Sequence, residues 1–409
     1  MTGPEAGLLA RVGPLFAASG PVAVAVSGGG DSMALLDLAI RVAEARGRSL
    51  RAVTVDHGLR PEAADEAAAV AAVCRERGVP HEVLGWRWDG EGNLPARART
   101  ARYGLIGAWA AAGGLSCVAL GHTRDDVAES LLIRLRRAPG VDGLARMPAR
   151  FHRDGVAWHR PLLETGRAEL RAYLRGRGID WAEDPTNDDP AYDRARARTI
   201  LGALAPLGVT RTGLAGIATS LGSVREALDH YTAREAARIV TEDRGDLLIE
   251  RAPDPPLPAE IDRRLLRAAL AWVGGPGAQP RHSALAALAP ERPRTLCGCR
   301  ISVEGTAWRI GREMQAVRGH AAPIDALWDG RWRLSGPRAE GLHVAALGEA
   351  GMRFCPGWRA TGLPRASLMA GPAVWRGEAL VAAPLAGQPG EWQASAEGRG
   401  KFAAFCLGD

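Results

Sequence analysis

The sequence from residue 22 to residue 36 is Val22-Ala23-Val24-Ala25-Val26-Ser27-Gly28-Gly29-Gly30-Asp31-Ser32-Met33-Ala34-Leu35-Leu36. A short apolar run, a turn of serine, glycine and aspartate, and an apolar helical pattern follow one another, which predicts a buried strand that enters a helix through a glycine loop. Glycines allow positive φ angles and a close approach of a ligand to the backbone. The free N–H groups and the dipole at a helix N-terminus favour an anion. We therefore predict a phosphate site formed by Ser27, Gly28, Gly29, Gly30 and Ser32.

The loop lacks the marks of two common nucleotide-binding motifs. No Gly-Lys-Ser/Thr follows the glycines, and the chain has a single lysine, Lys401, so a Walker A motif is excluded. The spacing G-x-G-x-x-G of a dinucleotide fingerprint is also missing. Asp31 places a carboxylate beside the predicted anion, which is unfavourable unless a metal ion or an incoming amine offsets it. The alternative is an ordinary glycine turn between a strand and a helix.

Predicted strands and helices alternate along the chain up to about residue 135. We predict strands at 22–26, 51–55, 81–84 and 117–120, and helices at 33–45, 61–77, 97–112 and 125–136. This alternation is typical of an α/β fold with a parallel sheet and helices on both faces. Ligands bind such sheets beyond the carboxyl ends of the strands. The glycine loop, Asp56-His57 and residues 121–126 all fall at such ends.

Two carboxylates follow the last of these strands. Asp126 and Glu129 are three positions apart in a predicted helix, so they share one face of it. Two neighbouring carboxylates can hold Mg²⁺ or an ammonium group. Asp125 and Asp126 can equally be plain caps that the helix dipole stabilises.

Composition sets the outer limits of the interpretation. The chain has 409 residues, which favours two or three domains, and 46% hydrophobic residues, which are sufficient for a core in each. No run of about 18 apolar residues and no secretory signal is evident, so we expect no membrane span. The six cysteines include no C-x-x-C pair, and we predict a reduced, cytoplasmic protein. The net charge of +6 permits a nucleic-acid partner without requiring one.

The string Ser-Gly-Gly-Gly-Asp-Ser resembles the PP-loop of ATP pyrophosphatases, enzymes that cleave ATP between the α and β phosphates and adenylate an oxygen of a second substrate. Further motifs over about residues 20–205 resemble those of the tRNA(Ile)-lysidine synthetase family in the same order. They are Asp56-His57-Gly58, Gly92-Asn93-Leu94, Ala98-Arg99-Thr100-Ala101-Arg102-Tyr103, Gly121-His122-Thr123 with Asp126 and Glu129, Arg134-Leu135-Arg136-Arg137, Arg160-Pro161-Leu162-Leu163, Trp181-Ala182-Glu183-Asp184-Pro185, Asn187, and Arg194 with Arg198. Ser130, Ala138 and Ala195 depart from the family pattern.

The resemblance implies an adenine nucleotide alpha hydrolase-like PP-loop domain and a two-step reaction. ATP with Mg²⁺ adenylates the wobble cytidine of a CAU anticodon in tRNA(Ile), and free L-lysine then displaces AMP from C2. The resemblance assigns catalysis to Asp31, Asp126, Glu129 and Arg99, and Mg²⁺ to Asp31 and Asp126. It assigns ATP binding to Ser27, Gly28, Gly29, Gly30, Asp31, Ser32, His57 and His122. It assigns RNA binding to Arg137, Asn187, Arg194 and Arg198.

The second half of the chain contains fewer motifs. We predict helices at 219–239 and 261–273, and small antiparallel strands from about residue 295. The resemblance then implies a PP-loop catalytic domain at 1–210, a helical tRNA-binding or linking domain at 211–294, and a small α+β tRNA-binding domain at 295–409. Tryptophans near the C-terminus can stack on bases, although core packing is the more common role. The sequence leaves the oligomeric state open, with a homodimer as one option.

Three other functions remain as alternatives. A tRNA thiolase of the PP-loop type often carries paired C-x-x-C motifs, which this chain lacks. An amide-forming PP-loop synthetase would need different motifs around its second substrate. A nucleotide-binding protein without catalysis would have no use for Asp31, Asp126 and Glu129.

Overall fold

The computed structural model describes residues 3–58, 62–137, 140–183, 189, 192–275, 277–288 and 294–408. The chain divides into two compact units, Met1–Arg225 and Glu226–Asp409, here called the N-terminal and C-terminal units. The predicted division at residues 210 and 294 stays a prediction.

A six-stranded sheet forms the centre of the N-terminal unit. Its strands are β1 (Val22–Ala25), β2 (Leu50–Asp56), β3 (His81–Gly85), β4 (Cys117–Leu120), β5 (Arg150–Arg153) and β6 (Val156–His159). They lie in the order β3-β2-β1-β4-β6-β5, and all neighbouring pairs are parallel except β5 with β6. The predicted parallel sheet is thereby confirmed, with one antiparallel strand added at its edge.

Helices cover both faces of this sheet. They are α1 (Pro4–Val12), α2 (Gly30–Arg46), α3 (Glu62–Glu76), α4 (Leu94–Ala112), α5 (Arg124–Leu135), α6 (Gly140–Leu144), α7 (Arg167–Gly176), α8 (Asp193–Leu204) and the first part of α9 (Arg211–Ile239). Val22 and Val24 of β1 enter the core with α1, α2 and α7, whereas Ala23 between them enters the core with α4. Successive residues of a strand point to opposite faces, so a strand that is buried on both sides must be apolar throughout.

The predicted helix starts are late at two places. Helix α2 begins at Gly30 because Gly29 has the extended conformation of an N-cap, so the glycine loop itself contributes the first turn. Helix α4 begins at Leu94 because the side chain of Asn93 accepts a hydrogen bond from the backbone of Ala96 (3.0 Å). The two N-cap residues, Gly29 and Asn93, both lie in segments that the sequence analysis predicts as loop.

The C-terminal unit consists of helices and antiparallel sheets. Its strands are β7 (Val240–Asp243), β8 (Asp246–Glu250), β9 (Arg294–Leu296), β10 (Cys299–Glu304), β11 (Ala307–Arg312), β12 (Ala321–Pro323), β13 (Trp332–Ser335), β14 (Leu342–Ala346), β15 (Pro372–Arg376), β16 (Ala379–Ala382) and β17 (Gln393–Ala396). Its helices, after the end of α9, are α10 (Ala259–Gly274), α11 (His282–Ala286), α12 (Met314–Val317), α13 (Gly348–Met352), α14 (Arg365–Met369) and α15 (Phe402–Phe405). The strands form sheets of five (β7-β8-β11-β10-β9), four (β12-β14-β15-β16) and two (β13-β17).

Most tryptophans of this unit pack in its cores. The buried ones are Trp272, Trp308, Trp328, Trp332, Trp375 and Trp392. Core packing, the more common role, therefore applies to most of the tryptophans near the C-terminus. No single described helix is long and apolar enough to cross a membrane, and 193–207 with 211–239 meets that test only as a pair joined at a sharp bend.

Candidate active site

The glycine loop is held closed by its own serines. The backbone N–H of Ser27 donates to Oγ of Ser32 (3.1 Å), which itself donates to the carbonyl oxygen of Gly29 (2.9 Å). Gly28 has a φ of 83°, a conformation that residues with a Cβ rarely adopt. The hydroxyl of Ser32, predicted as a donor to phosphate, is engaged inside the loop in this state.

A second segment of the chain packs directly on the loop. The N–H of Ala182 donates to the carbonyl oxygen of Gly28 (3.0 Å), and a Cβ added to Gly30 would lie 3.3 Å from the indole of Trp181. Trp181 in turn donates from Nε1 to Glu183 (2.9 Å). The segment Trp181-Ala182-Glu183 therefore packs against the glycine loop, and the missing side chain of Gly30 leaves room for the indole of Trp181.

A cavity of about 1150 Å³ opens at the carboxyl ends of β1, β2 and β4. The loop residues Ser27, Gly29, Gly30, Asp31 and Ser32 line it. Its other polar lining residues include His57, Glu66, Arg102, His122, Asp126, Arg167, Arg171, Glu183, Arg194 and Arg198. The predicted convergence of the three strand ends is thus observed.

Arg167, which the sequence analysis missed, ties the predicted carboxylates together. It is the first residue of α7, and its guanidinium lies 3.0 Å from Asp31, 3.2 Å from Glu129 and 3.8 Å from Asp126. Its backbone N–H donates to Asp125 (2.8 Å), which fixes the start of α7 beside α5. Although burial opposes it, the carboxylates raise the pKa of Arg167. An arginine four residues after Arg-Pro-Leu-Leu was the available signal.

The environments of Asp31 and Asp126 shift their pKa values in opposite directions. Burial raises the pKa of Asp31 although Arg167 opposes the shift, and the negative charges of Asp126 and Asp125 add to it. Burial also disfavours the charged form of Asp126, but Arg194, His122, Arg167 and the N–H of Thr123 lower its pKa below the ordinary value. Asp126 forms a capping box with Thr123, whose N–H and hydroxyl both donate to Oδ2 (2.8 and 2.9 Å). Asp126 therefore also caps helix α5, which is the alternative role that the sequence analysis gives it.

Glu129 is more deeply buried than the other two carboxylates. It is 0% exposed, and its Oε1 accepts hydrogen bonds from Arg198 (2.8 Å) and Arg167 (3.2 Å). Among the described residues, Oε2 of Glu129 and Oδ1 of Asp31 have no hydrogen-bond partner. Of the predicted site residues that the structure describes, four do not line the cavity: Gly28, Arg99, Glu129 and Arg137.

The two predicted ATP-binding histidines are neutral at physiological pH. Burial and the charge of Arg102 lower the pKa of His57 to about 4, and its Nε2 accepts hydrogen bonds from Arg102 (3.0 and 3.3 Å). Burial, with nearby arginines, lowers the pKa of His122 to about 4 against the opposing charge of Asp126. Both rings line the cavity. A neutral imidazole can donate one hydrogen bond and accept another there.

The predicted RNA-binding residues are separated by the structure. Arg194 and Arg198 are four residues apart on α8, and both line the cavity. Arg198 contacts Glu129, whereas Arg194 is exposed. Arg137 is exposed at the end of α5, and Asn187 lies outside the described residues. Arg99 is exposed, with its guanidinium over the ring of Tyr103 (5.2 Å).

Comparisons with known proteins match both units. A family model described as a PP-loop domain matches residues 9–204. A tRNA(Ile)-lysidine synthase from Ruegeria pomeroyi is 49% identical over 389 residues, which cover 93% of each chain. Synthases of the same description from Bradyrhizobium sp. and Mesorhizobium japonicum are 43% and 37% identical, over 74% and 80% of this chain and 87% and 76% of their own.

Proposed function

Because the chain belongs to the tRNA(Ile)-lysidine synthase family, we propose that it joins the side-chain amine of L-lysine to C2 of the wobble cytidine in a CAU anticodon of tRNA(Ile). The reaction consumes ATP, passes through an adenylated cytidine, and changes the codon read from AUG to AUA. The observation that carries the proposal is the gathering of Asp31, Asp126 and Glu129 around Arg167 beside the glycine loop.

In the first step the C2 oxygen of the cytidine attacks the α-phosphorus of ATP, and the bond to pyrophosphate breaks. Negative charge then grows on the phosphate oxygens. The amides of Gly29 and Gly30, the N-terminus of α2 and the guanidinium of Arg167 lie at the cavity before the substrate arrives. Donors that are already oriented stabilise such a transition state without further reorganisation.

Two of the carboxylates fit Mg²⁺. This ion binds through one or two carboxylates together with substrate phosphates. Asp31 and Asp126 both line the cavity and both lie against a cation, Arg167, and the unpartnered Oδ1 of Asp31 is buried. The described residues include no group of three or more metal-binding side chains, so phosphate oxygens would complete the coordination. Bound there, Mg²⁺ would neutralise charge on the departing pyrophosphate.

In the second step the ammonium group of lysine first gives one proton to solvent, and the resulting amine attacks C2. The bond from C2 to the adenylate oxygen breaks, AMP leaves, and the nitrogen releases a second proton to solvent. Asp126 is the member of the acidic pair that lines the cavity, and its low pKa keeps it ionised. Its Oδ2 accepts hydrogen bonds from Thr123, so Oδ1, which lies 3.8 Å from Arg167, is the oxygen that would hold Mg²⁺ in the first step and the ammonium group in the second. Glu129 lies behind it and holds Arg167 and Arg198 in place.

We expect Glu129→Gln to raise the KM for lysine by about tenfold or more while the Kd for ATP changes less, because the neutral amide holds Arg198 and Arg167 less firmly and Arg167 contacts Asp126. Steady-state kinetics at varied lysine and varied Mg²⁺ measure both effects, and thermal melting checks the fold. If the dependence on Mg²⁺ changes first, the pair serves the metal instead. Unchanged kinetics in both titrations would reject the site.

The function is tested by incubating the protein with ATP, Mg²⁺, radiolabelled lysine and a tRNA with a CAU anticodon. We expect label in the RNA and release of AMP and pyrophosphate. The same tRNA with adenosine at the wobble position is the control. Consumption of ATP with a sulfur donor but without lysine would favour the thiolase alternative.

We propose that the C-terminal unit binds the body of the tRNA. Its removal should start after residue 225, because Leu214, Ala215 and Ala218 of α9 pack against α5 and α8. A fragment of residues 1–225 should bind ATP like the full chain but bind tRNA with a shallower salt dependence, by about 0.7–0.9 log units for each phosphate that it no longer neutralises. Equal slopes, measured by filter binding at varied salt, would move tRNA recognition to the N-terminal unit. The homodimer and the cytoplasmic location stay predictions.

A further inference from the structure

The cavity is larger than a single nucleotide requires. Its volume of about 1150 Å³ lies above the range of about 300–1,000 Å³ that is typical of small-molecule pockets. The glycine loop with Asp31 and Arg167 lines only part of it. The remaining lining includes an exposed aromatic ring and several arginines.

Trp88 is 42% exposed although it lines the cavity. Its indole Nε1 donates to the carbonyl oxygen of Glu91 (3.2 Å), and Asp89 accepts from the N–H of Glu91 (3.1 Å) while also pairing with Arg97. These contacts tie the turn to the first part of α4. A large ring that is held in place and open to the cavity is a platform on which a base can stack.

Three arginines, Arg99, Arg102 and Arg194, lie near one another at or beside the cavity. Desolvation and the positive charges of Arg99 and Arg194 lower the pKa of Arg102, so the three guanidinium groups are within electrostatic reach. In the described part of the chain, none of the three forms an ion pair with a carboxylate. Arg102 and Arg194 also line the cavity. Clustered guanidinium groups favour phosphate, although the charge of Arg194 also acts on Asp126, whose pKa it lowers.

We infer that Trp88, Arg102 and Arg194 form a subsite for the unstacked target nucleotide, in which the indole stacks on the pyrimidine and the guanidinium groups hold its phosphates. The inference rests on the proposed function, because only a reaction on a base inside a folded anticodon loop requires that base to leave its stack. The ligand that Trp88 would recognise is a nucleobase. Besides the pyrimidine of the RNA, the adenine of ATP could supply such a base.

The test uses the full-length protein and a short RNA stem-loop with a CAU loop that carries pyrrolocytidine at the wobble position. We expect Trp88→Ala to raise the Kd of the stem-loop by about 5- to 150-fold. Trp88→Phe should stay within about threefold of the parent, since a phenyl ring still stacks. The fluorescence of pyrrolocytidine should be quenched by the parent and by Trp88→Phe, and not by Trp88→Ala. Leu207→Ala, which removes an exposed apolar side chain of the N-terminal unit outside the cavity lining, is the control.

A second arm tests the phosphate contact. Arg194→Gln should reduce the slope of log Kd against log salt by about 0.7, the value for one phosphate of a single strand. Arg75→Gln, at an exposed arginine of α3 outside the cavity lining, should leave the slope unchanged. The two experiments are independent because the substitutions at Trp88 measure base stacking and the substitution at Arg194 measures the contact with a phosphate charge.

The outcomes separate this inference from the proposed function. If Trp88→Ala weakens ATP binding in calorimetry and leaves stem-loop binding intact, the ring stacks on adenine and the inference is wrong. If the parent transfers lysine to RNA and both variants bind the stem-loop like the parent, the inference fails and the function stands. If no lysine is transferred, the function fails, and quenching with the parent alone would still support a base-binding subsite.

Discussion

Arg167→Gln should lower lysine transfer by about a hundredfold or more. Among the described residues, Arg167 is the only cation that contacts Asp31, Asp126 and Glu129 together. The substitution removes the counter-ion of Asp31 and Asp126 and leaves Glu129 with Arg198. Loss of one donor that stabilises transition-state charge typically costs a factor of about 10²–10³. Single-turnover measurements of pyrophosphate release and of lysine incorporation would show whether both steps are affected, as a shared counter-ion requires.

The pH profile distinguishes this role from simple loss of structure. Arg167 lowers the pKa of Asp31 against the effect of burial, so its removal should raise that pKa further. The acid limb of the rate profile should therefore move to higher pH in Arg167→Gln. Arg167→Lys keeps the positive charge but loses the planar guanidinium group. It should therefore restore the pH of the acid limb more fully than it restores the rate of lysine transfer. An unshifted limb in Arg167→Gln would contradict the assignment.

Asp31→Asn should reduce the release of pyrophosphate by about a thousandfold or more. The amide keeps the size of the side chain but removes one of the two carboxylates that fit Mg²⁺, and a metal contributes several kcal/mol to such a reaction. Each ~1.4 kcal/mol corresponds to a tenfold change in rate. Pyrophosphate release at saturating ATP and tRNA is the measurement.

The matched control is Asp65→Asn, at an exposed aspartate of α3. It should react like the parent, and both variants should melt cooperatively. A titration with Mg²⁺ adds a second readout, since Asp31→Asn should need more Mg²⁺ for whatever activity remains. Nearly normal adenylation by Asp31→Asn would contradict the assignment of Asp31 as a ligand of Mg²⁺.

The sheet was predictable because burial on both faces leaves a continuous apolar run. β4 has the predicted bounds, and β1 ends one residue before the predicted end because the buried apolar Val26 already belongs to the loop. β5 was not predicted because three of its four residues, Arg150, His152 and Arg153, are polar and the strand lies at the edge of the sheet. β6 was not predicted because it has only four residues, of which every second one is buried. The start of α9 at Arg211 escaped because Gly213 and Gly216 lower helix propensity there. Tertiary packing of Leu214 and Ala218 offsets that preference.

The site was predictable where its residues occur in short motifs. Asp31 and Asp126 follow strands directly, and parallel strands bring such positions to one edge. Arg167 lies 136 residues from Asp31 in the chain, and its place after Arg-Pro-Leu-Leu marks the residue without identifying the carboxylates that it contacts. The position of Glu129 behind the cavity, and the contact of Arg198 with it, also depend on packing between helices that sequence spacing does not encode.

The opposite pKa shifts of Asp31 and Asp126 have a consequence for acid inactivation. A carboxyl with a lowered pKa stabilises the folded state above its unfolded pKa, and that contribution is lost as the pH falls through the folded value. Asp126 therefore supports the start of α5 well into the acid range. Asp31, with a raised pKa, gains its proton first and favours folding in doing so. Mild acidification should thus protonate Asp31 while Asp126 still caps α5, and the part of the activity lost through Asp31 should return when the pH is restored. The lowered pKa values of His57 and His122 act in the other direction, because their protonation in the unfolded chain costs stability over the same range.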